Sequence, residues 1–112
     1  MIKYSILINQ YSVIENRWDM YIGISHLVIL DVIVSFINSG KCLSISDNNT
    51  LWYWVSTKLV CEQTPLLKVA EPRIRQMIKD LEKVELLISN QNNQSLGRMY
   101  IKIGPNYEKY QF

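Results

Sequence analysis

Between Ser25 and Gly40 the chain reads SHLVILDVIVSFINSG, and its apolar run from Leu27 to Ile37 is broken only by Asp31 and Ser35. A helix that is apolar almost all round has no face to give to water, so other elements must surround it. In a chain of 112 residues that can happen once, which predicts a single domain, 1–112, with one core. Ser25 is the expected N-cap, and Asn38-Ser39-Gly40 closes the segment, with glycine supplying the stop. The β-branched residues favour a strand, but length and caps favour a helix. The run is too short to cross a bilayer. Lys3 alone precedes the polar residues Ser5, Asn9 and Gln10, which is no signal-peptide pattern, so the expected location is the cytoplasm.

The elements around this helix are read from their spacing. Ile2, Tyr4, Ile6 and Ile8 alternate with Lys3, Ser5 and Leu7, which predicts an N-terminal strand or extended arm within 2–14. ENRWDMYIGI is a connector that completes an N-terminal part, 1–24. SDNNT is turn chemistry, and LWYWV after it is a short strand. Its Trp52 and Trp54 lie on one face and Tyr53 on the other. Ser56 or Thr57 caps a brief helix that ends near Thr64-Pro65, because a residue before proline avoids the helical region. In the next helix Ile74, Met77, Ile78 and Leu81 fall at i, i+3, i+4 and i+7, one apolar face, with Pro72 in the first turn. Gln76, Lys79 and Lys83 lie opposite, with Arg73 and Arg75 on the flanks. Leu86–Ser89 and Arg98–Ile103 then form two strands joined by NQNNQSLG, and 104–112 is a tail expected to pack back on the domain or on a partner.

Charge is uneven. Residues 1–57 carry three basic and four acidic side chains, and residues 58–112 carry nine basic and six acidic. This bias permits nucleic-acid binding without demanding it. Cys42 and Cys61 have no Cys or His partner at metal spacing and read as reduced thiols, with a disulfide between them the alternative.

The stretches WYWVSTKLVCEQTPLL, RIRQMIKDLEKVELL and ISNQNNQSLGRMYIKI together resemble the winged helix-turn-helix of bacterial regulators and of plasmid or phage replication proteins. They match its first motif helix, its second motif helix and its wing. The resemblance covers 51–103, or 25–103 if the apolar helix is counted as the first of three. It implies an α+β winged-helix fold: a three-helix core with a β-hairpin wing. The ending GPNYEKY and the opening ILINQYSVIEN are similar to small proteins of this type encoded by phages or mobile elements. One position departs from the family. Where its LxxxGL pattern places glycine after the second motif helix, in left-handed backbone, this chain has Glu85 in LEKVELL, at a cost of about 1 kcal/mol.

The resemblance implies double-stranded DNA as partner, with the second motif helix (about 72–84) in the major groove and the wing (about 87–103) on adjacent backbone or minor groove. Arg73 and Arg75 suit guanine or phosphate, Gln76 adenine, and Lys79 backbone. Lys58 and Lys68 would touch phosphates beside the turn, and Asn92, Asn93 and Arg98 would act from the wing. The role implied is transcription regulation or replication initiation of a mobile element, with a homodimer formed by adding the N-terminal strand across a two-fold axis.

A lysine and arginine face on a helix is usually just solvated, and Asn/Gln at a hairpin tip is ordinary turn composition. Glu71, Asp80 and Glu82 share the reading helix and could neutralise it. The competing expectation is therefore a winged helix that binds another protein and no DNA. His26, the single histidine, reads as a partly buried hydrogen-bonded residue. The sequence has no Ser/His/Asp set, Gly-rich phosphate loop or Cys/His cluster, so neither catalysis nor a cofactor, metal or small-molecule ligand is expected.

Overall fold

The apolar segment is a helix, α2 (Ile24–Asn38), and Ile29, Leu30 and Ile33 along it are wholly shielded from solvent. A computed structural model describes the protein over residues 5–96 and 98–111. The start of α2 lies two residues earlier than its sequence cap. Gly23 is the N-cap, in extended backbone, and its N–H donates to Nδ1 of His26 at 3.0 Å, so histidine rather than Ser25 satisfies the helix start. At the other end Gly40 stands at φ 74°, the left-handed backbone that favours glycine.

The expected N-terminal strand is not formed among the described residues. Residues 5–9 have no regular structure, and α1 (Gln10–Glu15) follows; the expectation for residues 2–4 lies outside the described residues. The alternation of Ile6 and Ile8 loses to capping: Oδ1 of Asn9 accepts from the Ser12 N–H at 3.1 Å and starts a helix there. The same asparagine donates from Nδ2 to the Tyr110 carbonyl at 2.8 Å, and Ser12 Oγ donates to the Lys109 carbonyl at 2.9 Å. These bonds tie α1 to the C-terminal turn α6 (Tyr107–Tyr110), so the tail packs back on the domain.

The rest is an α+β arrangement. Strands β1 (Ser44–Asp47) and β2 (Thr50–Trp54) form a hairpin whose turn residues, Asn48 and Asn49, both have positive φ. Then come α3 (Thr57–Gln63), α4 (Glu71–Lys83), β3 (Leu87–Ser89), the single turn α5 (Asn93–Leu96) and β4 (Tyr100–Ile103). The four strands make one antiparallel sheet in the order β1-β2-β4-β3. Register places Tyr53 opposite Ile101, and Leu87 opposite Ile103, on the face that joins the helical core. Trp52, Trp54, Ile88 and Lys102 therefore share the other face. Among the described residues no helix is long and apolar enough to cross a membrane.

Helix α3 is capped by Ser56, whose Oγ accepts from the Leu59 N–H at 3.3 Å, and it stops at Thr64, before Pro65. Helix α4 buries the expected stripe, with Ile74 and Leu81 at 0% exposure. At its end the Leu86 N–H donates to the Leu81 carbonyl and the Glu85 N–H to the Glu82 carbonyl, both at 3.0 Å. That is the six-to-one and five-to-two bonding of a Schellman stop. Glu85 occupies its left-handed position at φ 59°, where glycine is the favoured residue. Glu85→Gly is expected to stabilise the protein by about 1 kcal/mol, read as a higher denaturant midpoint at unchanged slope. An unchanged midpoint would mean that the glutamate side chain offsets its own backbone strain.

Candidate nucleic-acid interface

The exposed side of α4 is set by helical geometry: burying Ile74, Met77, Ile78 and Leu81 leaves Arg73, Arg75, Gln76, Lys79 and Lys83 facing solvent. The acidic residues on the same helix are turned into the body of the protein. Glu71 Oε1 accepts from Thr57 Oγ1 at 2.8 Å, linking the first turns of α3 and α4. Glu82 Oε1 accepts from the Ser89 N–H at 2.9 Å, at the end of β3. Asp80 Oδ2 lies 2.8 Å from Nε2 of His26 on α2. Nδ1 of His26 accepts from Gly23, so Nε2 is the nitrogen that carries hydrogen and donates. The expected hydrogen-bonded histidine is thus a bridge between α2 and α4.

Electrostatics follow from these partners. The hydrogen bond from His26 holds the Asp80 carboxyl below the usual carboxylate range, outweighing the partial burial that pushes the other way, with Gln76 adding to the effect. Gln76 Nε2 donates to Asp80 Oδ1 at 3.2 Å, and the Lys83 ammonium stands 3.7 Å from the same oxygen. Among the described residues Arg73, Arg75 and Lys79 have no carboxylate partner. Arg75 only approaches Thr57, with Nη1 to Oγ1 at 3.5 Å. Lys58 sits next to Thr57 on α3, and Lys68, at φ 54°, lies in the α3–α4 connection; both are exposed. Arg73, Arg75 and Gln76 thus stand exposed on the first half of α4 and Lys79 further along it, while Lys58 and Lys68 lie on the segments that lead into the helix.

The residues expected in a wing are placed differently, in a β3–β4 connection that carries the helical turn α5. Asn93 receives the Tyr100 N–H on Oδ1 at 2.9 Å and donates from Nδ2 to the Tyr100 carbonyl at 3.0 Å, so its amide is spent closing the loop onto β4. Asn92 Nδ2 reaches Asp47 Oδ2 at 3.3 Å, alongside buried Asn90 at 3.2 Å, and this fastens the β3–β4 loop to the β1–β2 hairpin. Arg98 does not join the stripe on α4. Its guanidinium lies 4.5 Å from the ring centre of Trp54, and the Lys102 ammonium lies 5.0 Å from that of Trp52, both on the sheet face turned away from the helical core. Sequence reading missed these stacked pairs. The alternation in LWYWV placed both tryptophans on one face, but the register that brings Arg98 and Lys102 to them is a non-local fact.

The described residues hold no cluster of three or more His, Cys, Asp or Glu side chains that could bind a metal. Burial pushes the Cys42 thiol up, away from the thiolate that a nucleophile needs. Comparison with protein families, curated proteins and solved structures finds no match to this chain.

Proposed function

We propose that this protein is a winged helix-turn-helix that binds double-stranded DNA in the cytoplasm, with the first half of α4 in the major groove. The topology supports the reading: after α2 and an additional edge strand β1 come β2, α3, α4, β3 and, beyond the single turn α5, β4, which runs between β2 and β3. The observation that carries it is the disposal of the acids. Glu71, Asp80 and Glu82 are each bound to a partner in the fold, Lys83 stays beside Asp80, and Arg73, Arg75 and Lys79 stand on the exposed face of α4 with no carboxylate partner among the described residues.

Arg73 and Arg75 then meet base edges or phosphates, Lys79 the backbone, and Lys58 and Lys68 the phosphates beside the turn. Gln76 reads a base only after leaving Asp80. The role is regulation of transcription or initiation of replication in a mobile element. A second reading, docking of a protein or of a second copy without DNA, draws on a different observation. Leu7, Tyr11, Ile14, Met20, Tyr21 and Ile24 are all more than half exposed, an apolar surface on the N-terminal segment.

Fluorescence anisotropy of a labelled mixed-sequence duplex separates the two. Binding should weaken steeply with salt as counterions are released. Arg73→Ala/Lys79→Ala should weaken it about tenfold or more and flatten the log–log salt slope by about 2. A folded protein that ignores the duplex even at low salt would favour the docking reading.

A further inference from the structure

We infer that the outer face of the sheet is a binding platform for single-stranded DNA, with Trp52 and Trp54 as its stacking surfaces. This site is separate from α4 and does not depend on the duplex reading. The two half-buried tryptophans stand at alternate positions of β2, so they point to the same side, roughly 7 Å apart along the strand. Each carries a cation beside its ring, Lys102 at Trp52 and Arg98 at Trp54. An aromatic surface with a cation within reach is the chemistry that holds a base and its phosphate together.

Spacing selects the occupant. Stacked bases in a duplex are about 3.4 Å apart and their faces are covered by neighbours. Rings twice that distance apart accept successive bases only from an extended, unpaired strand. There is also room. Trp52 walls a cleft of about 310 Å³ with Ile88, Asn90 and Gln91, and at the end of β2 Trp54 borders one of about 630 Å³ that runs past Leu43 and Lys41 onto Phe36 of α2 and Leu59 of α3. Both fall in the range of ligand-sized sites, about 300–1,000 Å³. The charges are complementary to a phosphate chain. Lys102, Arg98 and Lys41 border the platform against one carboxylate, Asp47, which lines the Trp52 cleft and is held there by the neutral amides of Asn90 and Asn92. To admit bases, Lys102 and Arg98 swing from the rings to the phosphates, exchanging one partner for another.

The experiment is a titration of intrinsic tryptophan fluorescence with an oligothymidylate of about ten nucleotides, since an OB-type stacking surface engages a strand of that order. Trp18 is buried in the core, so quenching reports the two platform tryptophans. Saturable, salt-sensitive quenching is expected. Trp52→Ala should weaken binding about five- to a hundredfold, the range for loss of one stacked base, and Lys102→Glu, on the surface, should weaken it several-fold. Arg73→Ala/Lys79→Ala, which tests the duplex reading, should leave the oligothymidylate affinity within about twofold.

Absence of quenching at low salt from a protein with an intact melting transition would overturn the proposal. So would equal affinity for an abasic sugar–phosphate oligomer, which shows charge without stacking. Loss of binding in the Arg73→Ala/Lys79→Ala protein would move the strand to α4, and tighter binding of oligouridylate would reassign the platform to RNA.

Discussion

Gly104→Ala is expected to destabilise the fold by about 3 kcal/mol or more, the largest effect of any small substitution proposed for this chain. The reason is close approach of backbone to backbone. A Cβ on residue 104 would lie 2.1 Å from the Glu85 carbonyl oxygen, 2.7 Å from its carbon and 2.9 Å from the Leu86 carbonyl carbon. None of these atoms can turn aside as a side chain would. The two segments also clasp each other through hydrogen bonds: the Gly104 N–H to the Leu86 carbonyl at 2.9 Å, the Asn106 N–H to the Glu85 carbonyl at 3.1 Å, and Asn106 Nδ2 to the Val84 carbonyl at 2.9 Å. Making room for a methyl group means opening this clasp, and each bond lost costs about 1 kcal/mol. Urea unfolding reads the effect as a lower midpoint at unchanged slope. A loss below about 1 kcal/mol would show that the exit of α4 and the end of β4 separate freely. The clasp holds the strained residue Glu85 in place and fixes where α4 points relative to the sheet, so the same substitution should also weaken duplex binding through α4.

What could be read from the sequence, and what could not, divides along the range of the interactions. Helix α4 was legible because Ile74, Met77, Ile78 and Leu81 declare one face and Pro72 marks the start, all within thirteen residues. Helices α2 and α3 were legible from apolar length and from Ser56 before the helix, although the α2 cap passed to Gly23 and His26. Helix α1 was not, because Ile6 and Ile8 alternate like a strand while the partners that stabilise the helix, Lys109 and Tyr110, lie about a hundred residues away. Strand β1 is short and mostly polar, and it exists through pairing with β2, so SISD alone gave no period to detect.

The candidate site shows the same division. The cations of α4 were visible as residues. Whether the acids beside them neutralise the helix was not, because the answer lies with Thr57, His26 and Ser89 on other elements. The left-handed position at Glu85 followed from the family spacing; that a glutamate adopts it is a tertiary result, held by the loop around Gly104 and Asn106.

The second large effect is expected at Asp80, where stability and function meet. His26 and Asp80 have side-chain exposures of only 10% and 15%, and their 2.8 Å bond joins α2 to α4. Asp80→Ala leaves the Nε2–H of His26 without its acceptor in a nearly dry site, at a cost of about 2 kcal/mol at neutral pH. Asp80→Asn keeps the shape and an acceptor oxygen, so it should cost less than half as much. The pH dependence has a definite sign. A carboxyl held below its ordinary range contributes stability that is fully present above that range, about pH 4, and is lost as pH falls through the lowered value. The gap between native protein and Asp80→Ala should therefore be widest near neutrality and narrow below about pH 4, leaving the part that a neutral carboxyl oxygen still supplies as acceptor. A gap that stays constant down to pH ~3 would assign the loss to packing instead of the ionised hydrogen bond. On the functional side, Asp80→Asn removes a negative charge from α4 and weakens the restraint on Gln76. If α4 is what meets DNA, duplex affinity should hold or rise in that variant even as stability falls, an opposition that a purely structural role for this helix does not produce.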